Sequence, residues 1–283
     1  MNQKITPFLV FVFLFISSLN FGQKKIEKSK EELTEKSGVN HQSTTTATSS
    51  ISRSSSSDSF GESLLAEIVV YVFVYTTYGV VKYGIIGDYY KENHLYSKLS
   101  HYPYKNGNYG NYYSSDSLSR CKVRLDIEDT FMYNSSNSLG NHFKVKIRPF
   151  QYFYFQTDFR QIFEFDRIND TNYQLNFSHF TLGYDRIRMD KFNLGWNLGV
   201  SYIGNDVRKV GFTYGANSDY FLNKNISFSG SAKWSKINVR PVNAFELQSK
   251  YHKKNYLFSL GFEHLKIGTP TYNFVTLGTG IYF

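Results

Sequence analysis

The sequence lacks several features that are typical of common classes of protein. It has a single cysteine, Cys121, so no disulfide can form within one chain. Mean hydropathy is −0.39, and this value alone does not indicate a membrane protein. No Gly-x-Ser-x-Gly motif, Cys-x-x-Cys motif or metal-spaced histidine pair is present. The sequence therefore predicts no catalytic residue, no metal site and no cofactor, and we expect a protein that is not an enzyme.

The N-terminus has the three parts of a secretory signal peptide. Lys4 supplies a positive charge, residues 8–16 form an apolar run too short to span a bilayer, and Gly22 is a small residue before cleavage. We assign residues 1–22 to this signal. The formal charge of +9 is typical of proteins that bind nucleic acid. An exported chain is not expected to meet nucleic acid, so we expect no such partner and attribute the excess to anionic lipid or internal ion pairing.

Apolar side chains recur at every second position over most of residues 119–283. The pattern is clearest at 192–201, where Phe192, Leu194, Trp196, Leu198 and Val200 alternate with Asn193, Gly195, Asn197, Gly199 and Ser201. A period of two indicates strands with one apolar face. Ten such runs have the length that a tilted strand needs to cross a bilayer, and ten is an even number. We predict an all-β, antiparallel up-and-down transmembrane β-barrel of about ten strands, with twelve as an alternative.

The last strand ends at a C-terminal aromatic residue. Phe283, Ile281, Leu277 and Val275 lie on one row, and Tyr282 ends the other. This pattern resembles the closing strand of Gram-negative outer-membrane β-barrels, and the chain is similar to small barrels of the OmpA and OmpX type over about 120–283. The resemblance implies that Phe283, Ile281 and Tyr282 form an assembly signal. It also implies location in the cell outer membrane, with outer-membrane lipid and the barrel assembly machinery as partners.

Charged side chains of both signs occupy the second row of several strands, which we expect to face the lumen. This predicted lumen cluster comprises Lys122, Arg124, Asp126, Glu128, Lys144, Lys146, Arg148, Arg160 and Glu164. A ten-stranded barrel is close in size to eight-stranded barrels, whose interiors are filled by side chains. Opposite charges in such a space should pair. We therefore predict a mostly closed, charge-paired lumen.

Two regions precede the predicted barrel. Residues 23–58 are charged or Ser/Thr-rich and bury too little apolar surface to offset the entropy of ordering, so we predict a disordered linker. Residues 59–118 hold an apolar run at 62–86 and a loop rich in Tyr, Gly and Asn. Capping-box spacing before the run favours a helix, which we expect to pack on or in the barrel. Two extra strands and an inner-membrane span are the alternatives. The loop tyrosines fit an interfacial position or a patch that binds sugar or lipid head groups.

These patterns predict a class and a location but not a biochemical role. A structural or uncharacterised outer-membrane barrel with a closed lumen is the first hypothesis. A narrow pore for small solutes is the second, and a rim enzyme acting on lipid is the third. Ser178 and His179 are adjacent, but neighbouring residues of a strand point to opposite faces, so they do not form a catalytic pair.

Overall fold

The computed structural model describes residues 25–35, 74–114, 123–134, 138–166, 171–222 and 225–283. The predicted signal peptide and most of the predicted linker lie outside these residues. The chain forms two compact units, one made of Met1–Glu35 with Ser97–Phe283 and the other of Lys36–Tyr96.

The first unit is built on ten antiparallel strands that close into a barrel. Their bounds are β3 Arg124–Asn134, β4 Ser138–Arg148, β5 Phe153–Asp166, β6 Thr171–Arg188, β7 Phe192–Ile203, β8 Lys209–Phe221, β9 Ile226–Ile237, β10 Arg240–Lys253, β11 Tyr256–Ile267 and β12 Thr271–Tyr282. Each strand pairs with the next, and β12 pairs with β3, from Val275 opposite Tyr133 to Tyr282 opposite Asp126. The predicted up-and-down barrel of ten strands is confirmed. The twelve-stranded alternative is wrong, because the described residues include helix at 74–86, where the extra strands were expected.

The two faces of the barrel follow the alternation of the sequence. Large apolar side chains face outward, with Leu198 45% exposed and Leu277 64% exposed. Their neighbours Asn197 and Thr276 point inward and are buried. Asp129 is a polar exception on the outer face, where its carboxylate accepts a hydrogen bond from the amide of Asn141 at 2.7 Å.

The barrel unit also contains a short helix that the charged composition of its segment does not predict. Lys25–Thr34 forms α1, which covers one end of the barrel, and Ile26, Ser29 and Leu33 are its buried residues. The predicted disorder over 23–58 is therefore wrong for residues 25–35, while 36–58 lies outside the described residues. The physical reason is that three residues spaced at i, i+3 and i+7 suffice to bury one helix face when a preformed apolar surface receives them.

Residues 97–114 cover the opposite end of the barrel. They contain the strands β1 Lys98–Leu99 and β2 Tyr112–Tyr113, which pair with each other, and a 3₁₀ turn at Lys105–Gly107. The sequence analysis places this segment in one region with the apolar run, whereas in the structure it belongs to the same unit as the barrel. The loop tyrosines predicted to lie at an interface include Tyr112, which is completely buried.

The second unit is described from residue 74 onward. Residues 74–79 are α-helical, and Val80–Ile86 continues as a π-helix that ends at Gly87, where φ is 102°. Helix is thus confirmed for the described part of the apolar run, and its packing on the barrel stays a prediction. Among the described residues, no helix is both long enough and apolar enough to cross a membrane.

Candidate functional site: the barrel lumen and its two covers

The inward face of the barrel is apolar at the end covered by α1. We call this layer the apolar collar; its buried residues are Met132, Ile162, Leu175, Phe177, Ile203, Ile237, Val242, Ala244, Leu265, Ile267, Tyr272 and Phe274. Ile26 and Leu33 of α1 belong to the same buried cluster. An apolar ring open to water would be unfavourable, so α1 supplies the cover that this end of the barrel needs.

Polar contacts fix α1 on the collar. The carboxylate of Glu164 accepts hydrogen bonds from the backbone N–H of Ile26 at 2.9 Å and of Lys25 at 3.3 Å. Free N–H groups at a helix N-terminus favour such an anion, so Glu164 on strand β5 caps the N-terminus of α1. The hydroxyl of Ser29 donates to the carbonyl of Ile267 at 3.0 Å and lies 2.9 Å from the hydroxyl of Tyr272.

Two further contacts of α1 involve carboxylates whose pKa is lowered. Lys30 lies 2.7 Å from Asp206, and this hydrogen bond and charge lower the pKa of the Asp206 carboxyl. Glu32 accepts a hydrogen bond from the N–H of Thr269 at 2.7 Å. Desolvation alone would raise the pKa of Glu32, but the hydrogen bonds from Thr269 and the charge of Arg240 lower it. Both carboxylates are therefore favoured in their charged form while α1 is bound.

Directly beneath the apolar collar lies a layer of buried ion pairs. Arg160 Nε lies 2.5 Å from Glu263, and the two ring nitrogens of His142 each lie 3.2 Å from a carboxylate, that of Glu263 and that of Asp158. Lys233 pairs with the other oxygen of Asp158. These five residues come from four different strands, so the pairs tie the barrel wall together across its interior.

A second set of pairs continues towards the end covered by residues 97–114. Lys144 lies 3.0 Å from Glu246, and Lys250 lies 2.8 Å from Glu128. Nearer that end, Arg124 lies 2.6 Å from Asp126, and the guanidinium of Arg148 lies 2.5 Å from Asp185. These last pairs meet the cover, because the Tyr112 hydroxyl donates to Asp185 at 2.6 Å and Ser100 accepts a hydrogen bond from Arg124 at 3.2 Å.

The cover at 97–114 is fixed to the rim by several other contacts. The Tyr104 hydroxyl donates to the carbonyl of Leu222 at 2.6 Å and also contacts the carbonyl of Ile226, and burial raises the pKa of Tyr104 to about 12. The side-chain amide of Gln151 donates to the carbonyl of Ser97 at 2.9 Å. A Cβ at Gly110 would fall against Phe221 and the carbonyl of Asp190, so only glycine allows this close approach.

The described residues line two small polar cavities in the lumen, of about 40 and about 30 Å³. Glu128, Lys146, Asp219 and Lys250 line both of them. Lys146 Nζ lies 4.6 Å from the centre of the Tyr154 ring. Each of these two cavities has room for a few water molecules at most.

The predicted lumen cluster faces inward, but it is distributed over three levels instead of forming one site. Glu164 caps α1, Arg160 lies in the upper ion-pair layer, and the remaining described members are Arg124, Asp126, Glu128, Lys144, Lys146 and Arg148. Lys122 lies outside the described residues. The predicted cluster does not include four ion-pair partners of its members, Asp185, Glu246, Lys250 and Glu263. Each occupies the inward row of its strand, so the alternation itself was the signal that could have found them.

The residues predicted to signal assembly lie where β12 meets β3. Phe283 is 60% exposed, and its backbone exchanges hydrogen bonds with Leu125, 2.8 Å from its N–H and 3.1 Å to its carbonyl. Tyr282 points inward and lies under the guanidinium of Arg124, 4.5 Å from the ring centre. Their role in assembly stays a prediction.

A buried histidine and serine lie side by side in the lumen. His179 Nδ1 lies 2.5 Å from the hydroxyl of Ser201, which is also in contact with Thr213 and Ser235. His179 and Ser201 are completely buried. Among the described residues, no group of three or more His, Cys, Asp or Glu side chains is arranged to hold a metal ion.

Comparisons with known proteins find solved structures that are similar in fold at low sequence identity. No family model matches the chain, and no curated protein matches it. A designed transmembrane β-barrel is similar at 14% identity and a TM-score of 0.32, over 59% of this chain and 100% of its own. Ail of Yersinia pestis is similar at 12% identity and a TM-score of 0.32, over 57% of this chain and 98% of its own. The N-terminal barrel domain of Pseudomonas aeruginosa OprF is similar at 10% identity and a TM-score of 0.30, over 56% of this chain and 97% of its own. These structures are transmembrane β-barrels, which is the kind of protein that the closing strand resembles.

Proposed function

We propose that this chain is an outer-membrane β-barrel protein with a structural role and a closed, charge-paired lumen. The observation that carries the proposal is the reversal of polarity between the two faces of the barrel. Apolar side chains point outward and are exposed, whereas charged pairs such as Arg160 with Glu263 are buried inside. A barrel made for water would place these sets the other way round, because exposed apolar surface is unfavourable there.

Fractionation tests the location, and gel migration tests the fold. The full-length protein should be recovered with the outer membrane, and unheated samples should migrate differently from boiled ones because the closed barrel resists detergent. We propose outer-membrane lipid and the assembly machinery as partners, and no nucleic acid. Recovery in a soluble periplasmic fraction would contradict the proposal.

Planar-bilayer recordings test the closed lumen. Both ends of the barrel are covered, and three sets of ion pairs lie between the covers, so the folded protein should give no conductance steps. The alternative is a narrow pore for small solutes. The two small cavities favour it, because their polar linings can hold water inside the lumen. Reproducible steps from protein that is fully heat-modifiable would favour this alternative.

We propose no enzymatic activity. His179 and Ser201 are the pair closest to a nucleophile and its base, and both are completely buried within the lumen, away from lipid. Assays for hydrolysis of outer-membrane lipid should therefore give the same rate for the native protein and a Ser201→Ala variant. A rate that exceeds the background and is lost in the variant would support the rim-enzyme alternative.

A further inference from the structure

The apolar collar is more than a surface for α1 to cover. The collar draws its residues from eight strands, and on β6, β10, β11 and β12 it is two inward positions deep. Against this ring α1 places only the side chains of Ile26 and Leu33, with Ser29 between them. The other residues of α1 are polar and lie at its edge or on its outer side. The helix thus covers the collar with a small part of its own surface.

Two polar atoms at the base of the collar lack the hydrogen bonds they need. Among the described residues, neither Arg160 Nη1 nor His179 Nε2 has a hydrogen-bond partner, and both side chains are almost completely buried. Both adjoin Phe177 of the collar. The Arg160 guanidinium lies 5.4 Å from the Phe177 ring centre, and the His179 ring lies 5.6 Å from it. Buried polar groups in native proteins are normally satisfied, so an unsatisfied pair beneath an apolar ring points to a missing acceptor.

The charges around this point allow a negative acceptor. Arg160 pairs with Glu263, Lys233 with Asp158 and Lys144 with Glu246. These pairs balance, and the two histidines add no negative charge. A carboxylate next to Arg160 Nη1 therefore meets a fixed donor. Glu164, two inward positions further along β5, is an acid outside these pairs, and the N–H groups of α1 bind it. Charge-assisted hydrogen bonds of this kind are stronger than bonds to a neutral acceptor.

We propose that the apolar collar is a binding site for a fatty acid and that α1 is its displaceable cover. The acyl chain replaces Ile26 and Leu33 against the collar, and the carboxylate accepts hydrogen bonds from Arg160 and His179. Apolar walls with a few convergent polar groups are the usual composition of a small-molecule site. This inference rests on the lumen geometry and holds whether or not the lumen conducts.

Photo-crosslinking tests the site in the full-length protein reconstituted in nanodiscs. The probe is a medium-chain fatty acid with a diazirine in its chain, and the control probe is the alcohol of the same length. Labelled positions are mapped by mass spectrometry. We expect the acid to label collar residues such as Phe177 and Leu265 about tenfold more than the alcohol does, because only the acid makes the charge-assisted bonds. Both probes should label the lipid-facing Leu198 equally, and decanoate should compete only at the collar.

A pair of variants in α1 tests the cover. Leu33→Ser removes a buried contact of α1, and Lys28→Ser makes the same replacement at an exposed position of the same helix. Collar labelling should rise several-fold in L33S and stay unchanged in K28S, with both proteins heat-modifiable. The proposal is overturned by labelling restricted to outward-facing residues, by equal collar labelling from acid and alcohol, or by equal labelling in the two variants.

Discussion

Gly183 and Tyr154 give the sharpest test of the packing inside the lumen. The two residues are cross-strand partners, and Tyr154 is completely buried. Its ring contacts Gly183, so a Cβ at position 183 would overlap the ring atom Cζ and the hydroxyl oxygen. The Tyr154 hydroxyl donates to Asn217 at 2.6 Å, which fixes the ring in place. Gly183→Ala must therefore displace the ring or the strand, and overpacking of this kind costs about 1–3 kcal/mol.

A matched glycine shows what the same substitution does without a clash. At Gly230, also within a strand, the nearest atom to an added Cβ is the Ser218 hydroxyl at 3.5 Å, which is ordinary contact. Gly230→Ala should be neutral, or stabilising by up to ~0.5–1 kcal/mol, because alanine loses less backbone entropy than glycine on folding. Denaturant unfolding of the reconstituted barrel, followed by tryptophan emission, gives the free energy of unfolding of each variant.

A double-mutant cycle separates the ring contact from other effects of the substitution. In a Tyr154→Leu background the ring is gone, so Gly183→Ala should lose most of its cost, with a coupling energy of about 0.5–3 kcal/mol. A clash between Gly183→Ala and the Tyr154 ring is contradicted if Gly183→Ala is as mild as Gly230→Ala, or if its cost is the same with and without the ring.

Three other predictions follow from the ion pairs, the cover and the closing strand. Lys144→Met leaves Glu246 unpaired inside the barrel and should lower the free energy of unfolding by about 3–5 kcal/mol, whereas adding Glu246→Gln should restore much of it in the same denaturant assay. The pKa values of the Glu32 and Asp206 carboxyls are lowered in the folded protein. Their contribution to α1 binding is therefore present above the ordinary carboxyl pKa of about 4 and is lost as the pH falls through the pKa values of the folded protein. Hydrogen exchange of residues 25–35 should accelerate at acidic pH, and exchange rates that do not change with pH in this way would contradict the prediction. Deleting Phe283 should reduce the amount of heat-modifiable protein in the outer membrane, and unchanged amounts would argue against an assembly signal.

The alternation of side chains was enough to predict the barrel. Rows such as Leu194, Trp196 and Leu198 have one environment along the whole strand, so a period of two specifies both the strand and its outward face. Asp129 interrupts its row but finds a partner in Asn141, and one polar contact on the outer face does not shift the register.

The covers and the collar could not be predicted in the same way. The buried face of α1 consists of Ile26, Ser29 and Leu33. The free energy gained by burying it depends on collar residues that lie about a hundred positions or more away in the chain. The collar itself reverses the rule used for the rest of the lumen, since inward positions such as Leu175 and Leu265 are apolar at one end only. Nothing local in the sequence distinguishes an inward leucine near a rim from a break in the alternation.

We propose that the apolar outer face of the barrel contacts lipid, and the native tryptophans of the protein can test this contact. The sequence has two tryptophans, Trp196 and Trp234, and each lies on the outward row of its strand. Their fluorescence should be strongly quenched when the protein is reconstituted in bilayers of lipid with brominated acyl chains, and hardly affected by iodide in the water. Quenching by iodide together with no response to the brominated chains would contradict the claim, because it would place this face of the barrel in water.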